Sequence, residues 1–124
     1  MVYHELSVTI LDAVFTVHRE LGPGLLETCY HNALFYELKS SGLSVGYNVP
    51  HTVTYKGQVV GEYFADLVIN GKVILELKSV KALGNDHIAQ LLNYLHISGC
   101  QLGYLLNFQN SRMEFKRLVL QKGR

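Results

Sequence analysis

The stretch at residues 61–80, GEYFADLVINGKVILELKSV, holds two β-rich runs separated by Asn70-Gly71. An Asn-Gly pair between alternating hydrophobic runs is typical of a tight β-hairpin turn. The second run, ILELKS at residues 74–79, places Glu76 and Lys78 among apolar residues that favour a buried strand. Side chains two positions apart in a strand share a face, so this carboxylate and this ammonium point the same way. Two charges in an otherwise apolar strand require a physical reason.

The length of the hairpin loop decides whether a second carboxylate, Asp66, faces Glu76. A two-residue loop pairs Asp66 with Leu75, and Glu76 then points away. A three-residue loop with a left-handed residue pairs Asp66 with Glu76 directly. Facing carboxylates on buried strands repel and lose hydration unless a cation lies between them. Mg²⁺ suits such a pair because it binds one or two carboxylates, waters and a substrate phosphate, and Lys78 then lies one pleat beyond.

A less specific interpretation of the same residues is a chance arrangement. An Asp and a Glu-x-Lys on neighbouring strands also occur on exposed sheet faces without any catalytic role. The apolar neighbours Ile74, Leu75 and Leu77 favour a central strand instead, where unpaired charges are costly.

The rest of the chain predicts the order α-α-β-β-β-α-β-β. Helical periodicity covers residues 6–21, about 25–41 and about 85–98, and period-two runs cover residues 47–79, 102–108 and 113–120. The glycine-rich segment at residues 22–24 separates the first two helices, with Gly24 a candidate N-cap for the second. This order favours one α/β domain over residues 1–124, a mixed β-sheet flanked by α-helices.

Composition bounds the function. The 124 residues suit a single domain, and a net charge of +1 excludes a chain-wide basic field, so any nucleic-acid surface is a local patch. Cys29 and Cys100 lie in or beside apolar helical patterns, which predicts reduced cysteines in or near the core of a cytoplasmic protein. The sequence has no signal peptide, no apolar run of transmembrane length and no zinc-ligand spacing, and we expect no membrane association.

Four short motifs together resemble a known family. Gly24-x-x-Glu27-x-x-Tyr30, Asp66, Glu76-x-Lys78 and Gln90-x-x-x-Tyr94 occur in this order, within segments such as VHRELGPGLLE, GEYFADLVI and AQLLNYL. The combination resembles the GxxExxY proteins of the PD-(D/E)XK nuclease-like superfamily, and its last element the RecB-like branch. The proline that the superfamily name places before the aspartate is Ala65 here. The resemblance implies a restriction-endonuclease-like α/β core.

The resemblance also implies roles for individual residues. Asp66 and Glu76 match metal-binding carboxylates with the Leu77 carbonyl as a further ligand, Glu27 matches an acid that supplements the metal site, and Lys78 matches the catalytic lysine. Gln90 and Tyr94 match an element that we expect to bind substrate, together with Tyr30. By helical spacing Tyr30 also falls on the apolar face of the second predicted helix. Gln90 and Tyr94 fall on the side of the third predicted helix that is opposite its apolar stripe.

The function that this predicts is a Mg²⁺- or Mn²⁺-dependent phosphodiesterase, a DNA exonuclease or repair-type nuclease. Its partner is then a nucleic acid, and we expect DNA. An alternative is a non-cleaving module that binds nucleic acid or a protein partner on a nuclease fold. A homo-oligomer or a protein partner stays open as an assembly. A purely structural dimerisation domain leaves the buried charges unexplained.

Overall fold

Two helices precede a five-stranded mixed sheet, and a third helix crosses between two of its strands. The computed structural model describes residues 2–121. The elements are α1 (His4–Leu21), α2 (Glu27–Ser40), β1 (Val45–Tyr55), β2 (Gln58–Ile69), β3 (Val73–Lys78), α3 (Asn85–Ser98), β4 (Leu102–Asn107) and β5 (Glu114–Val119). The predicted order and the predicted α/β class are therefore confirmed. No helix in the described part of the chain is long and apolar enough to cross a membrane.

The strands lie side by side in the order β1-β2-β3-β4-β5. Only β3 and β4 run parallel, because α3 returns the chain to the same end of the sheet, and the other neighbours are antiparallel. The central strand β3 is buried on both faces, from Val73 to Leu77. The apolar residues around Glu76 therefore mark an interior strand, as predicted.

Each face of the sheet carries its own apolar core. One core joins the sheet to α1 and α2, and the other joins it to α3. Ile10, Val14 and Val17 of α1 recur at helical spacing and bury one stripe of that helix, which ends at Gly22 with a positive φ of 74°. Leu91 and Leu95 bury α3 in the same way. Helices on both faces exclude water from the sheet, so an unpaired charge placed there costs considerable free energy.

The β2–β3 hairpin adopts the longer of the two predicted loops. Ile69 pairs with Val73 and Leu67 with Leu75, which leaves three residues, 70–72, in the loop. Asn70 and Gly71 both have positive φ, and the Lys72 amide donates to the Ile69 carbonyl at 2.9 Å. Continued by one position, this register places Asp66 opposite Glu76.

Strand β2 is bent at Asp66. Simple alternation predicts that residues 63, 65, 67 and 69 share one face. In the structure these residues lie on opposite faces of the sheet. Tyr63 and Ala65 pack in the α3 core, whereas Leu67 and Ile69 pack in the core of α1 and α2. On the neighbouring strand, Asn48 lies between the pairs that flank Asp66 and has a φ of 49°. A left-handed residue in a strand turns the chain over locally, so the period of two is interrupted here.

Helix α2 differs from prediction at its start. It begins at Glu27 with Leu26 as its N-cap, so the interpretation of Gly24 as the cap is wrong. Its buried stripe comprises Tyr30, Leu34 and Leu38, and Cys29 is exposed rather than in the core. Cys100 is half-buried, and both cysteines are free thiols.

Tyr30 holds the loop between α1 and α2, and the prediction that it binds substrate is corrected. Its side chain is fully buried and stacks on Phe108, with ring centroids 4.6 Å apart. The hydroxyl donates to the Gly22 carbonyl at 2.6 Å and accepts from the Leu25 amide at 2.9 Å. A ring enclosed in this way has no surface to offer a substrate. Its hydrogen bonds fix where α2 begins.

We expect Tyr30→Phe to lower the free energy of unfolding by about 1 kcal/mol, because it removes the partner of two part-buried backbone groups. Urea denaturation measures this, with Tyr36→Phe as the matched control, since Tyr36 lies on the same helix and is 73% exposed. Equal stability of the two variants would contradict the assignment of Tyr30 to the loop.

Candidate functional site

Asp66 and Glu76 meet where the β2–β3 ladder ends. The Asp66 amide donates to Glu76 Oε2 at 2.9 Å, and the Leu77 amide donates to Asp66 Oδ2 at 2.7 Å. Each carboxylate thus takes the place of a backbone carbonyl that the neighbouring strand no longer supplies. The two bonds fix both carboxylates in orientation. Within residues 2–121 the second oxygen of each, Asp66 Oδ1 and Glu76 Oε1, accepts no hydrogen bond and remains available to a ligand.

The pair is electrostatically strained without a cation. Glu76 is 6% exposed, and burial followed by the nearby charge of Asp66 raises its pKa from 4.5 to about 8. Burial also raises the pKa of Asp66, opposed by the Leu77 amide, His31 and Lys78. Two oxygen donors that each resist ionisation beside the other fit a hard divalent cation, which favours the charged form of both. The donor chemistry of Asp66 and Glu76 therefore fits a metal such as Mg²⁺.

Glu27 lies near this pair without joining it. Burial, followed by the charge of Asp66, raises the pKa of Glu27, and Lys78, His31 and a hydrogen bond from the Ser79 amide lower it. Within the described range, however, no three His, Cys, Asp or Glu side chains converge closely enough to hold a metal ion. The assignment of Glu27 as a metal ligand stays a prediction. Its position at the first residue of α2 and its interaction with Ser79 hold it to one side.

Lys78 extends from the end of β3 toward α3. Its Nζ lies 3.5 Å from Gln90 Oε1, and its charge lowers the pKa of Glu27, Asp66 and Glu76. Among residues 2–121 it forms no ion pair within 4.0 Å. An ammonium close to three carboxylates and not committed to any of them can act on a bound anion.

Gln90 and Tyr94 reach the site from α3, one helical turn apart. Gln90 contacts Lys78, and burial, then the charges of Glu76 and Asp66, raise the pKa of Tyr94. The Tyr94 ring stacks on Tyr63 with centroids 3.8 Å apart, and the Tyr63 hydroxyl donates to the Tyr94 carbonyl at 3.0 Å. The structure therefore brings these two predicted residues to the carboxylate pair.

His31 belongs to the site and was not predicted. Its Nε2 lies 2.9 Å from the Asp66 carbonyl oxygen, which the bent strand leaves outside the β2–β3 ladder. Its ring stacks on Tyr47 at 4.1 Å. The signal was its position four residues after Glu27, since residues one turn apart share a helix face.

Asn107, also not predicted, fixes the loop that follows Lys78. The side chain is fully buried, donates to the Val80 carbonyl and to Glu114 Oε1, and accepts from the Val80 amide. Glu114 in turn accepts from the Leu83 amide. The sequence signal that could have identified Asn107 is its position as the polar last residue of the otherwise apolar strand LGYLLN. These bonds position the end of β3 and hence the backbone of Lys78.

Comparison with known proteins agrees with this geometry. The family profile described as the PD-(D/E)XK nuclease superfamily matches residues 4–118. The chain belongs to the PD-(D/E)XK nuclease superfamily. The match takes in all three helices, all five strands except the last residue of β5, and all the predicted site residues.

Structural comparison adds support for the fold of this PD-(D/E)XK domain. A solved structure described as "Crystal structure of SSO0001" matches with a TM-score of 0.60 and 23% sequence identity. The match covers 75% of this chain and 50% of that one, so the chain spans half the length of that protein. A comparison with curated proteins gave no match.

The raised pKa of Glu76 predicts a pH dependence of stability in metal-free protein. A carboxyl with a folded-state pKa of about 8 and an ordinary value of 4.5 binds its proton more tightly when folded. Its stabilising contribution is therefore complete below about pH 4.5 and is lost as pH rises toward 8. With EDTA present, we expect the free energy of unfolding to fall across this window by at least about 1.4 kcal/mol, the equivalent of one pKa unit.

Glu76→Gln removes the titrating group and keeps its shape, so the fall should be much smaller in this variant. Urea denaturation at several pH values measures both proteins. The same dependence on pH in wild type and Glu76→Gln would show that Glu76 is not the group responsible.

Divalent cations should stabilise the wild-type protein by binding linkage. At a metal concentration of about 100 times the dissociation constant, the expected gain is about 2.7 kcal/mol. Asp66→Asn should lose most of this gain because it removes one of the two charges. Thermal denaturation with and without Mg²⁺ or Mn²⁺ measures the effect, with Asp12→Asn as control, since Asp12 is an exposed residue of α1. An equal metal response in wild type and Asp66→Asn would contradict the assigned site.

Proposed function

We propose that the protein is a metal-dependent phosphodiesterase that cleaves nucleic acid, in the first instance DNA, as an exonuclease or repair-type nuclease. The observation that carries this is the pair of Asp66 and Glu76, held by each other's strand at the end of a ladder, with Lys78 one pleat beyond. Membership of the nuclease superfamily supports the reaction class. The motif order supports the finer assignment to the GxxExxY proteins and the RecB-like branch. The two free thiols favour action in the cytoplasm.

Asp66 and Glu76 are the residues that we assign to Mg²⁺ or Mn²⁺, each through the oxygen that has no hydrogen bond. A backbone N–H and C=O of one extended residue point to the same side, so the Leu77 carbonyl is assigned as a further ligand on the side of Asp66. Glu27 takes part through water rather than directly, since it stands outside the carboxylate pair. A divalent ion supplies positive charge to the phosphate and activates water for attack.

Lys78 is proposed to stabilise the charge that develops on the phosphate during attack. Its ammonium lies 3.5 Å from Gln90 Oε1 and close enough to Glu76 to lower its pKa, so its charge is already near the phosphate when the attack begins. Gln90 and the Tyr94 hydroxyl are proposed to position the substrate backbone.

A second candidate is a module that binds nucleic acid or a protein partner without cleaving. The net charge of +1 favours it, because nucleases that hold long duplexes usually present many cations. The same low net charge favours a protein partner or a homo-oligomer that would add further cations to the nucleic-acid surface.

A nuclease assay with Mg²⁺ or Mn²⁺ on linear, circular and single-stranded DNA and on RNA tests the proposal. Metal-dependent cleavage that is lost with EDTA and in Asp66→Asn supports the enzyme. Binding of Mg²⁺ and DNA with no cleavage of any of these substrates would favour the binding module.

Lys78→Ala separates chemistry from metal binding. We expect cleavage to fall about 100-fold or more, the usual effect of removing one such electrostatic contact, while stabilisation by Mg²⁺ is unchanged. Lys72→Ala is the matched control, since Lys72 lies in the hairpin loop before β3, with its Nζ over the Tyr3 ring. Wild-type cleavage rates in Lys78→Ala would remove Lys78 from the mechanism.

A further inference from the structure

Two aromatic stacks flank the carboxylate pair, one on each side. On the side of α2 and β1, the ring of His31 stacks on Tyr47, with centroids 4.1 Å apart and planes within 8°. On the side of β2 and α3, Tyr63 stacks on Tyr94, with centroids 3.8 Å apart and planes within 9°. The superfamily assignment requires neither stack.

The stack of His31 and Tyr47 adjoins Asp66 and is rigidly held. His31 Nε2 lies 2.9 Å from the Asp66 carbonyl oxygen, and the His31 ring stacks on Tyr47. His31 therefore links the Tyr47 ring to Asp66. The Tyr47 hydroxyl donates to Asn32 Oδ1, and Phe35 meets the Tyr47 ring edge-on at 5.4 Å. Despite these contacts Tyr47 is 39% exposed. A large aromatic surface fixed in orientation and open to solvent is suited to stacking with a planar ligand.

Tyr94 supplies the corresponding surface on the other side. It is half-buried, and it lies close enough to Glu76 and Asp66 for their charges to act on its hydroxyl. Tyr63 of β2 contacts α3 in two ways, since its ring stacks on Tyr94 and its hydroxyl donates to the Tyr94 carbonyl. The bend of β2 at Asp66 places Tyr63 in the α3 core, so the bend beside the carboxylate pair also builds this stack.

The charge balance limits how a nucleic acid can be held here. Phosphate contacts by lysine and arginine provide most of the affinity of proteins that bind duplexes, and this chain has a net charge of only +1. Stacking on aromatic side chains adds about 1–3 kcal/mol per base without any need for charge. Bases in a duplex are paired and stacked on each other, and only unpaired bases can turn outward to meet a side chain.

We propose that Tyr47 and Tyr94 each stack on an unpaired base next to the phosphate held at Asp66 and Glu76, so that the substrate is single-stranded nucleic acid or an unpaired strand end. This inference rests on the proposed function for the position of the phosphate. Tyr47 is a substrate-binding residue in this account, and His31 positions it.

Fluorescence anisotropy with labelled single-stranded and blunt duplex DNA of the same sequence tests the inference, with Ca²⁺ in place of Mg²⁺ so that the carboxylates hold a cation while cleavage is slow. We expect tighter binding of the single strand and a loss of about 5-fold to 100-fold in Tyr47→Leu, which corresponds to one lost stack. Tyr47→Phe keeps the ring and should bind within about 2-fold of wild type. Tyr36→Leu is the control, since Tyr36 is an exposed tyrosine of α2, the helix that carries His31.

A second measurement uses the unmodified protein and is independent of whether the variants fold. A single strand that carries 2-aminopurine beside the bound phosphate should change its fluorescence on binding, because the base leaves its neighbours in the strand and stacks on a tyrosine ring. Fluorescence that does not change on binding, or single-strand affinity that is unchanged in Tyr47→Leu, would overturn the inference.

The outcomes also separate this inference from the proposed function. Cleavage of blunt duplex at least as fast as of single strands, with no effect of Tyr47→Leu, would keep the nuclease and reject the stacking site. Stacking-dependent binding of single strands with no metal-dependent cleavage would keep the stacking site and reject the nuclease. No binding of either DNA would reject the stacking site on DNA.

Discussion

The structure depends on two carboxylates that occupy the places of backbone carbonyls between neighbouring strands. Where β2 leaves β3, Glu76 accepts from the Asp66 amide and Asp66 accepts from the Leu77 amide. Buried amides need partners, and these two bonds provide them at the point where regular pairing stops. The same bonds hold two negative charges side by side in a sheet with helices on both faces. Burial and the charge of Asp66 raise the pKa of Glu76, so a proton or a cation at the pair is favoured over two free negative charges.

The surroundings of the pair follow from that break in the ladder. The bend at Asp66 turns Tyr63 toward α3 and leaves the Asp66 carbonyl for His31 of α2. On the other side of β3, Asn107 and Glu114 satisfy the backbone of the loop after Lys78. Side chains from both helix layers thus fix the position of a short segment of strand. Rigid support of this kind is what a site needs in order to act on a developing charge.

The sequence predicted the larger features because they depend on local patterns. Helical and alternating periods gave the element order, and the apolar neighbours of Glu76 marked a central strand. The hairpin register was narrowed to two possibilities, since the choice depends on the conformation of residues 70–72 and not on their identity. A period-two pattern could not predict the bend in β2, because the bend coincides with the left-handed Asn48 of the neighbouring strand.

Tyr30 was assigned to substrate binding from its motif, whereas its hydroxyl donates to the backbone of the loop eight residues before it. His31 was missed because its partner, Asp66, lies 35 residues away in the chain.

Anomalous diffraction from crystals grown with Mn²⁺ would locate the ion that Asp66 and Glu76 are proposed to bind. We expect one strong peak within about 2.5 Å of a free oxygen of both Asp66 and Glu76, the range of oxygen ligation to such cations, with the two amide hydrogen bonds to these carboxylates preserved. A crystal that holds Mn²⁺ elsewhere on the protein, with Asp66 and Glu76 paired as here and no ion between them, would contradict this proposal.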